Sequence, residues 1–578
     1  MAPGRDEIET RIESLAREVA DLRGRVHALE SGRLPALAGA GPTLEAPPLP
    51  GTTADWGVAE VVGLAGRTLV ILGGAFLLRA ISAAAVLPAA SGPALGLAYA
   101  AWWLVRADRS STATSTGRTS AVFYGLGGIG IACPLLWEAT ARFHLLPGAV
   151  TAPALVAFLA LGLAVARRRD LRALAWPAAA APVATIVALL PTTHEFVLYT
   201  AALLVSAAVV EAFESTERWP ELRWLLAAAT DLVLLLLAVL VSQPNLSPEL
   251  AAALPANGVI AVSLAAPVVY LASVATATLA RRRPISPFEL AQVSASLLCG
   301  IGTAMVAIAF HGGDSTPIAI AVAAIGAACY AVSFLSIDAA EHPRRNFYAY
   351  SSFAGVLVGA GTAMALPPAA LAPCWLALAG IAVAIGVLRQ RNTLRVHGSL
   401  YLAAAALASG LLAHACHGLF GARGAGEAPL ATVPLLVLVG AIVAYAALAR
   451  SGDDAEGHWT GHLPRFVVAA VVATAIAGLA APAAAALLLH VAPGLDPVAW
   501  LASMRTAVVS VLAVALAFGA GRWGLDDLRW LVFPVMVLGG ARLAWEDLQV
   551  GAPLNLFVAL GFYGGALTLT SRLLRKAS

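Results

Sequence analysis

The strongest constraint on this chain is a succession of apolar runs, each near twenty residues, that starts at about residue 57 and continues to the C-terminus. A helix of that length crosses the hydrocarbon core of a bilayer, where every backbone polar group has to be satisfied within the protein. The runs fall at about 57–78, 90–105, 119–138, 150–166, 171–191, 194–213, 222–242, 256–280, 288–310, 316–336, 347–366, 370–388, 396–414, 429–449, 464–489, 498–520, 527–545 and 553–574, which makes eighteen expected spans. Residues are 60% hydrophobic and 12% charged, against about half and about a quarter in soluble domains. The fold class expected is therefore all-α: a polytopic transmembrane helix bundle of about 18 spans, embedded in a lipid bilayer.

Basic residues set the orientation, because Lys and Arg concentrate in short cytoplasmic connections. Alternate connections carry them in groups: Arg167, Arg168, Arg169 and Arg172; Arg218 and Arg223; Arg281, Arg282 and Arg283; Arg389, Arg391 and Arg395; Arg450 and Arg465. Twenty-four of the thirty-six basic residues lie on this side, and only Arg79, Arg142 and Arg423 in the opposite connections. A missed span would reverse the alternation from that point on. The ladder thus implies a multi-pass protein of the inner (cytoplasmic) membrane with N- and C-termini cytoplasmic. No signal-peptide pattern opens the sequence, so the first sixty residues or so are expected to stay inside. A net charge of +3 carries no further message, and nucleic acid is not implied.

The N-terminal segment differs from everything after it. Ile8, Ile12, Leu15, Val19, Leu22, Val26 and Leu29 are spaced alternately four and three apart, the heptad repeat of a coiled coil. Branched residues at a with leucine at most d positions favour a parallel two-stranded coil, and Glu18 with Arg23 and Arg25 with Glu30 form attractive g-to-e pairs. A parallel homodimer through residues 8–30 is expected; the other reading is one amphipathic helix on the membrane surface. The organisation is then 1–30 coiled-coil helix, 31–56 a flexible Pro/Gly/Ala-rich tether, and 57–578 the multispan domain.

Glycine and alanine crowd the spans, as in FYGLGGIGIACP from Phe123. Gly125, Gly127, Gly128 and Gly130 lack the preceding strand that a phosphate loop needs, so close helix packing explains them. The N-terminal heptads, the Pro-rich tether, a first span reading RTLVILGGAFLLRAI and a third reading FYGLGGIGIACPLLWEATARFHLLP resemble a bacterial polytopic family catalogued as domain of unknown function 2339. The resemblance is clearest over about residues 57–150 and extends beyond them as architecture. It implies a many-spanned membrane protein and assigns no reaction or catalytic residue.

Ionisable residues within spans are the natural place to look for chemistry, since each costs about 2.5–3.5 kcal/mol on insertion scales. Asp231 and Arg505 lie deep in different spans and would form either a structural ion pair or two walls of a polar cavity. An outer-face cluster comprises Glu138 with Arg142, spaced as a helical i,i+4 pair, and Arg542 with Glu546 and Asp547. These can snorkel to the interface, which ranks Asp231 above Glu546 in expected importance. His414, Cys416 and His417 lack an evident fourth donor for a metal, the five cysteines form no CxxC pair, and no cofactor is implied.

Three function classes fit this frame. A transporter or flippase-like protein draws on the many spans, the buried Asp231 and Arg505, and prolines within spans at Pro177, Pro182, Pro267 and Pro534. A non-catalytic scaffold or envelope-organising protein draws on the coiled coil. A lipid-linked glycosyltransferase-type enzyme ranks behind both, because the outside connections are short and hold no GxSxG, HExxH or paired carboxylates.

Overall fold

A computed structural model describes residues 91–110, 114–213, 219–337, 344–421, 430–451, 459–550 and 553–576, with Gly66 and Gly73. The heptad segment from Ile8 to Leu29, the tether and, apart from those two glycines, the first expected span at 57–78 lie outside the described residues.

All regular structure among the described residues is helical. The first part comprises α1 (Ser91–Arg109), α2 (Ser115–Trp137), α3 (Gly148–Arg169), α4 (Arg172–Thr193), α5 (Phe196–Phe213), α6 (Glu221–Val241), the short α7 (Pro248–Ala253), α8 (Ala256–Ala275), α9 (Pro287–His311), α10 (Thr316–Ala331) and α11 (Arg344–Ala365). The second comprises α12 (Pro368–Leu388), α13 (Asn392–Ala408), α14 (Leu411–Phe420), α15 (Thr432–Arg450), α16 (Trp459–Val491), α17 (Pro497–Trp523), α18 (Asp526–Arg542) and α19 (Pro553–Lys576). Wider π turns extend α2, α8, α10 and α18 at Glu138–Arg142, Thr276–Ala280, Val332–Ile337 and Leu543–Asp547.

Among the described residues fourteen helices are long and apolar enough to cross a bilayer, against the eighteen spans expected along the whole chain. Each apolar run from residue 90 onward does coincide with helix. One of the remaining four, at 57–78, lies outside the described residues; of the others, α1 mixes three charged residues with Tyr99, Trp102 and Trp103, and α11 dilutes its apolar residues with Tyr348, Tyr350, Ser351 and Ser352. The run expected at 396–414 is two helices, α13 and α14, bent by 65°. Gly410 sits at the bend in the left-handed region, at φ 78°, where a side chain would be strained.

Helix ends follow local chemistry. Ser286 and Glu289 form a reciprocal capping box at the start of α9, and Asp496 caps α17 by accepting from the Val498 amide at 3.0 Å. Consecutive helices pack as antiparallel pairs, α1 on α2, α3 on α4, α8 on α9, α10 on α11 and α12 on α13. Approach is closest at small residues: a Cβ on Gly128 would lie 2.7 Å from the Ala100 carbonyl, so α1 and α2 meet backbone to side-chain-free backbone.

The exterior stays apolar, with Leu298 77% and Phe557 72% exposed, as a surface facing lipid tails requires. Inside, the two parts differ. One continuous apolar core runs from Ala100 to Leu357, whereas residues from Ala379 to Ala566 divide into five small clusters with polar groups between them.

Candidate functional site

Buried ionic groups gather around Arg223 and around α14, and a smaller set joins Arg465 to Asp527. The first lies where α5, α6 and α9 end together. Arg223, at the start of α6, donates from Nε and Nη2 to the two carboxylate oxygens of Glu211 at 2.9 and 2.7 Å, a bidentate fork. Its Nη1 donates to Glu289 Oε1 at 3.1 Å, an oxygen that also accepts from Arg283 at 3.1 Å. The other Glu289 oxygen accepts from the Ser286 amide, so one carboxylate serves both the capping box and the ion network. Ser273 of α8 donates to Glu211 at 2.5 Å, and the Arg223 guanidinium lies 5.1 Å over the Phe288 ring. Arg223, Glu211 and Glu289 are all buried.

The second cluster surrounds the broken span. Helix α14 is only ten residues long, and the last carbonyls of a helix have no partner within it. Arg505 of α17 supplies donors: Nε to the Gly418 carbonyl at 2.8 Å, Nη2 to that of Gly421 at 2.5 Å, and Nη1 to Glu546 at 2.9 Å. Arg542 donates to the Leu419 carbonyl, pairs with the second Glu546 oxygen, and lies 5.3 Å over the Phe420 ring. Two guanidiniums thus sit at the negative end of one short helix and share one carboxylate. The position of α14 is fixed by a crossing on α16 so close that a Cβ on Gly418 would strike the Gly478 carbonyl.

The π turn after α18 explains how three consecutive-turn residues reach this site. Bonds closing from i to i+5 widen the turn, so that Glu546 reaches Arg505 and Asp547 reaches Thr506 on α17 while Arg542 reaches the end of α14. Asp547 is buried and accepts from Thr506 at 2.5 Å and Ser503 at 3.4 Å, both on α17. Ser503 also donates to the Asn555 carbonyl of α19 at 3.1 Å.

Arg505 and Asp231 do not meet. Asp231, half-buried on α6, accepts from Gln292 of α9 at 3.4 Å. Arg542 and Glu546 do form their expected pair, but Arg542 is 4% exposed and turned inward rather than snorkelled to the interface. The unpaired carbonyls of α14 account for that difference. Glu138 is half-buried and Arg142 exposed on the π turn after α2, where the Arg142 guanidinium lies 5.5 Å over Phe143. That turn packs against α4, and the Leu543–Asp547 turn against α17 and α19, so the outer-face residues divide between two places.

Glu211, Glu289 and Asp527 were not singled out from sequence. Asp527, fully buried at the start of α18, lies 3.4 Å from Arg465 and accepts from Tyr445 at 2.8 Å. Each of these acids falls in the first or last turn of its apolar run, where an acid reads as interfacial. Only Ser286-x-x-Glu289 carried a signal, the spelling of a capping box. The five cysteines are free, and among the described residues no three His, Cys, Asp or Glu side chains converge on a metal-sized site. Comparison of the chain with protein-family models, with curated proteins and with solved structures returned no match.

Proposed function

We propose that this chain is a transporter or flippase-like protein of the bacterial inner membrane, with both termini cytoplasmic, and that it belongs to the polytopic family of unknown function it resembles. The observation that carries the reading is the bend within an apolar run: a ten-residue helix set at 65° to the one before it, its last carbonyls held by two buried arginines that share Glu546. Interrupted helices whose ends face ionisable groups are the elements from which many transporters build substrate sites. The orientation is supported by the side-chain pairs. Asp108 with Arg168, Arg172 with Glu221, Arg223 with Glu211, and Arg465 with Asp527 each join segments that the arginine ladder assigns to one face.

The second reading, a scaffold that joins two copies through residues 8–30, is favoured by the uninterrupted apolar core between Ala100 and Leu357. The two separate in a deletion strain complemented with Glu546→Gln at matched membrane abundance, scored by lipid and metabolite profile. The amide keeps the shape of the site and removes the charge shared by Arg505 and Arg542. Transport requires that the profile remain unrestored; full restoration at normal abundance hands the function to the scaffold reading.

A further inference from the structure

A groove of about 480 Å³ runs along the outer surface between α17 and α19. Its flanks are apolar and open, with Val511 and Phe518 on one side and Phe562 and Leu569 on the other each about half exposed. Two features set it apart from an ordinary lipid-facing surface. Along α19, Gly561 and Gly565 lie four residues apart, and a Cβ on either would meet no described atom within 4 Å. That spacing of small residues is the one at which two membrane helices approach most closely. On α17, Ser510 lines the groove at 1% exposure, and its hydroxyl has no hydrogen-bond partner among the described residues. Thr200, Ser206 and Thr570 each donate to the carbonyl one turn earlier, which is how a buried hydroxyl is ordinarily satisfied in a helix.

We infer that the groove receives α19 of a second copy of this chain, and that Ser510 donates to the backbone of that helix. Ser510 is the central residue of α17, and the centre of a span of this length lies among acyl chains, which accept no hydrogen bond. A lipid tail in the groove would leave the hydroxyl without a partner. Two copies inserted in the same sense can be related by a two-fold axis only along the bilayer normal, so that the same surface of each faces the other. Such an axis conserves depth. Gly561 and Gly565 line the groove beside Ser510, so the glycines of the second copy arrive at the level of that hydroxyl, with carbonyls that no side chain shields. The heptads from Ile8 to Leu29 call independently for two copies side by side and parallel. The interface fits a transporter as well as a scaffold and rests on neither reading.

The test is energy transfer between full chains carrying donor or acceptor fluorophores, in vesicles of phosphatidylethanolamine and phosphatidylglycerol diluted with increasing lipid. The unaltered chain should pair and dissociate on dilution. Gly561→Leu with Gly565→Leu places each new Cβ in open space within one copy and favours the helix, so folding should survive, read as an unchanged circular-dichroism spectrum, while energy transfer is lost at dilutions where the unaltered chain is still paired. Ser510→Ala keeps the packing and removes the donor; it should weaken pairing about threefold per hydroxyl, and so about tenfold for the two in a dimer. Leu15→Glu with Leu22→Glu reads the heptads separately in the same assay. Pairing lost in the glycine variant but kept in the heptad variant supports the groove and refutes the coil. Pairing lost in the heptad variant alone, with the glycine and serine variants as strong as the unaltered chain, overturns the proposal and leaves the coil as the junction. A chain that stays monomeric at every dilution, or a Ser510→Ala variant that pairs as well as the unaltered chain, overturns it too.

Discussion

The buried ionic clusters around Arg223 and around α14 handle the same problem in opposite ways. Around Arg223 one guanidinium is neutralised by two carboxylates, Glu211 and Glu289, with Arg283 completing the balance. Around α14 the arginines are satisfied chiefly by backbone: Gly418, Leu419 and Gly421 supply carbonyls, and Glu546 supplies compensating charge to both. The first is an ion network that ties three helix ends of a continuous apolar core. The second replaces the missing continuation of a helix, so its arginines are part of the backbone bonding of the fold. What each cluster tolerates should follow from that distinction.

The largest effect is expected at Arg223. Arg223→Leu strands the buried carboxylate of Glu211, while Glu289 keeps Arg283, and breaking a buried pair from one side typically costs about 3–5 kcal/mol. The double change Glu211→Leu, Arg223→Leu removes the stranded charge, leaves Glu289 with Arg283 and its capping box, and should recover most of that loss. Denaturation in mixed micelles reads both. If the double variant is no better than the single one, the network does more than balance charge. The smallest effect is expected at Asp231, which accepts one long bond from Gln292. Asp231→Leu should shift stability by no more than about 1 kcal/mol, within the range of a single hydrogen bond. Glu546→Leu should cost more, because Glu546 compensates two buried arginines. This reverses the ranking of the two residues drawn from sequence, and equal effects would remove the contrast between the clusters.

Much of the bundle was legible because its signals are local. Apolar runs gave helices from residue 90 onward, and Ser286 with Glu289 spelled a cap. The bend at Gly410 was harder to see, since one glycine inside an apolar run reads equally as a packing contact or a break. Arg505 stood out because an arginine deep in a span is costly, yet its partners did not. Gly418 and Gly421 act through carbonyls that every residue possesses, and they lie on a helix more than eighty positions away. Arg542 was read as interfacial by its place near the end of a run, and only the inward-facing carbonyl of Leu419 explains its burial. Acids such as Glu211 and Asp527 sit at run edges in the same way, and which of them turns inward is decided by neighbouring helices.

A double-mutant cycle on Arg505 and Glu546 in the full-length chain, measured as unfolding free energy in mixed micelles of fixed composition, tests most directly whether the broken span is held by a shared charge. Arg505→Met leaves two carbonyls and one carboxylate oxygen without their donor, and Glu546→Gln removes the charge that two guanidiniums share. If the cluster acts as a unit, the double variant should be less destabilised than the sum of the single ones, with a coupling of about 1–3 kcal/mol. Additivity to within about 0.5 kcal/mol would contradict it, and would mean that Arg505 and Glu546 hold α14 independently or not at all.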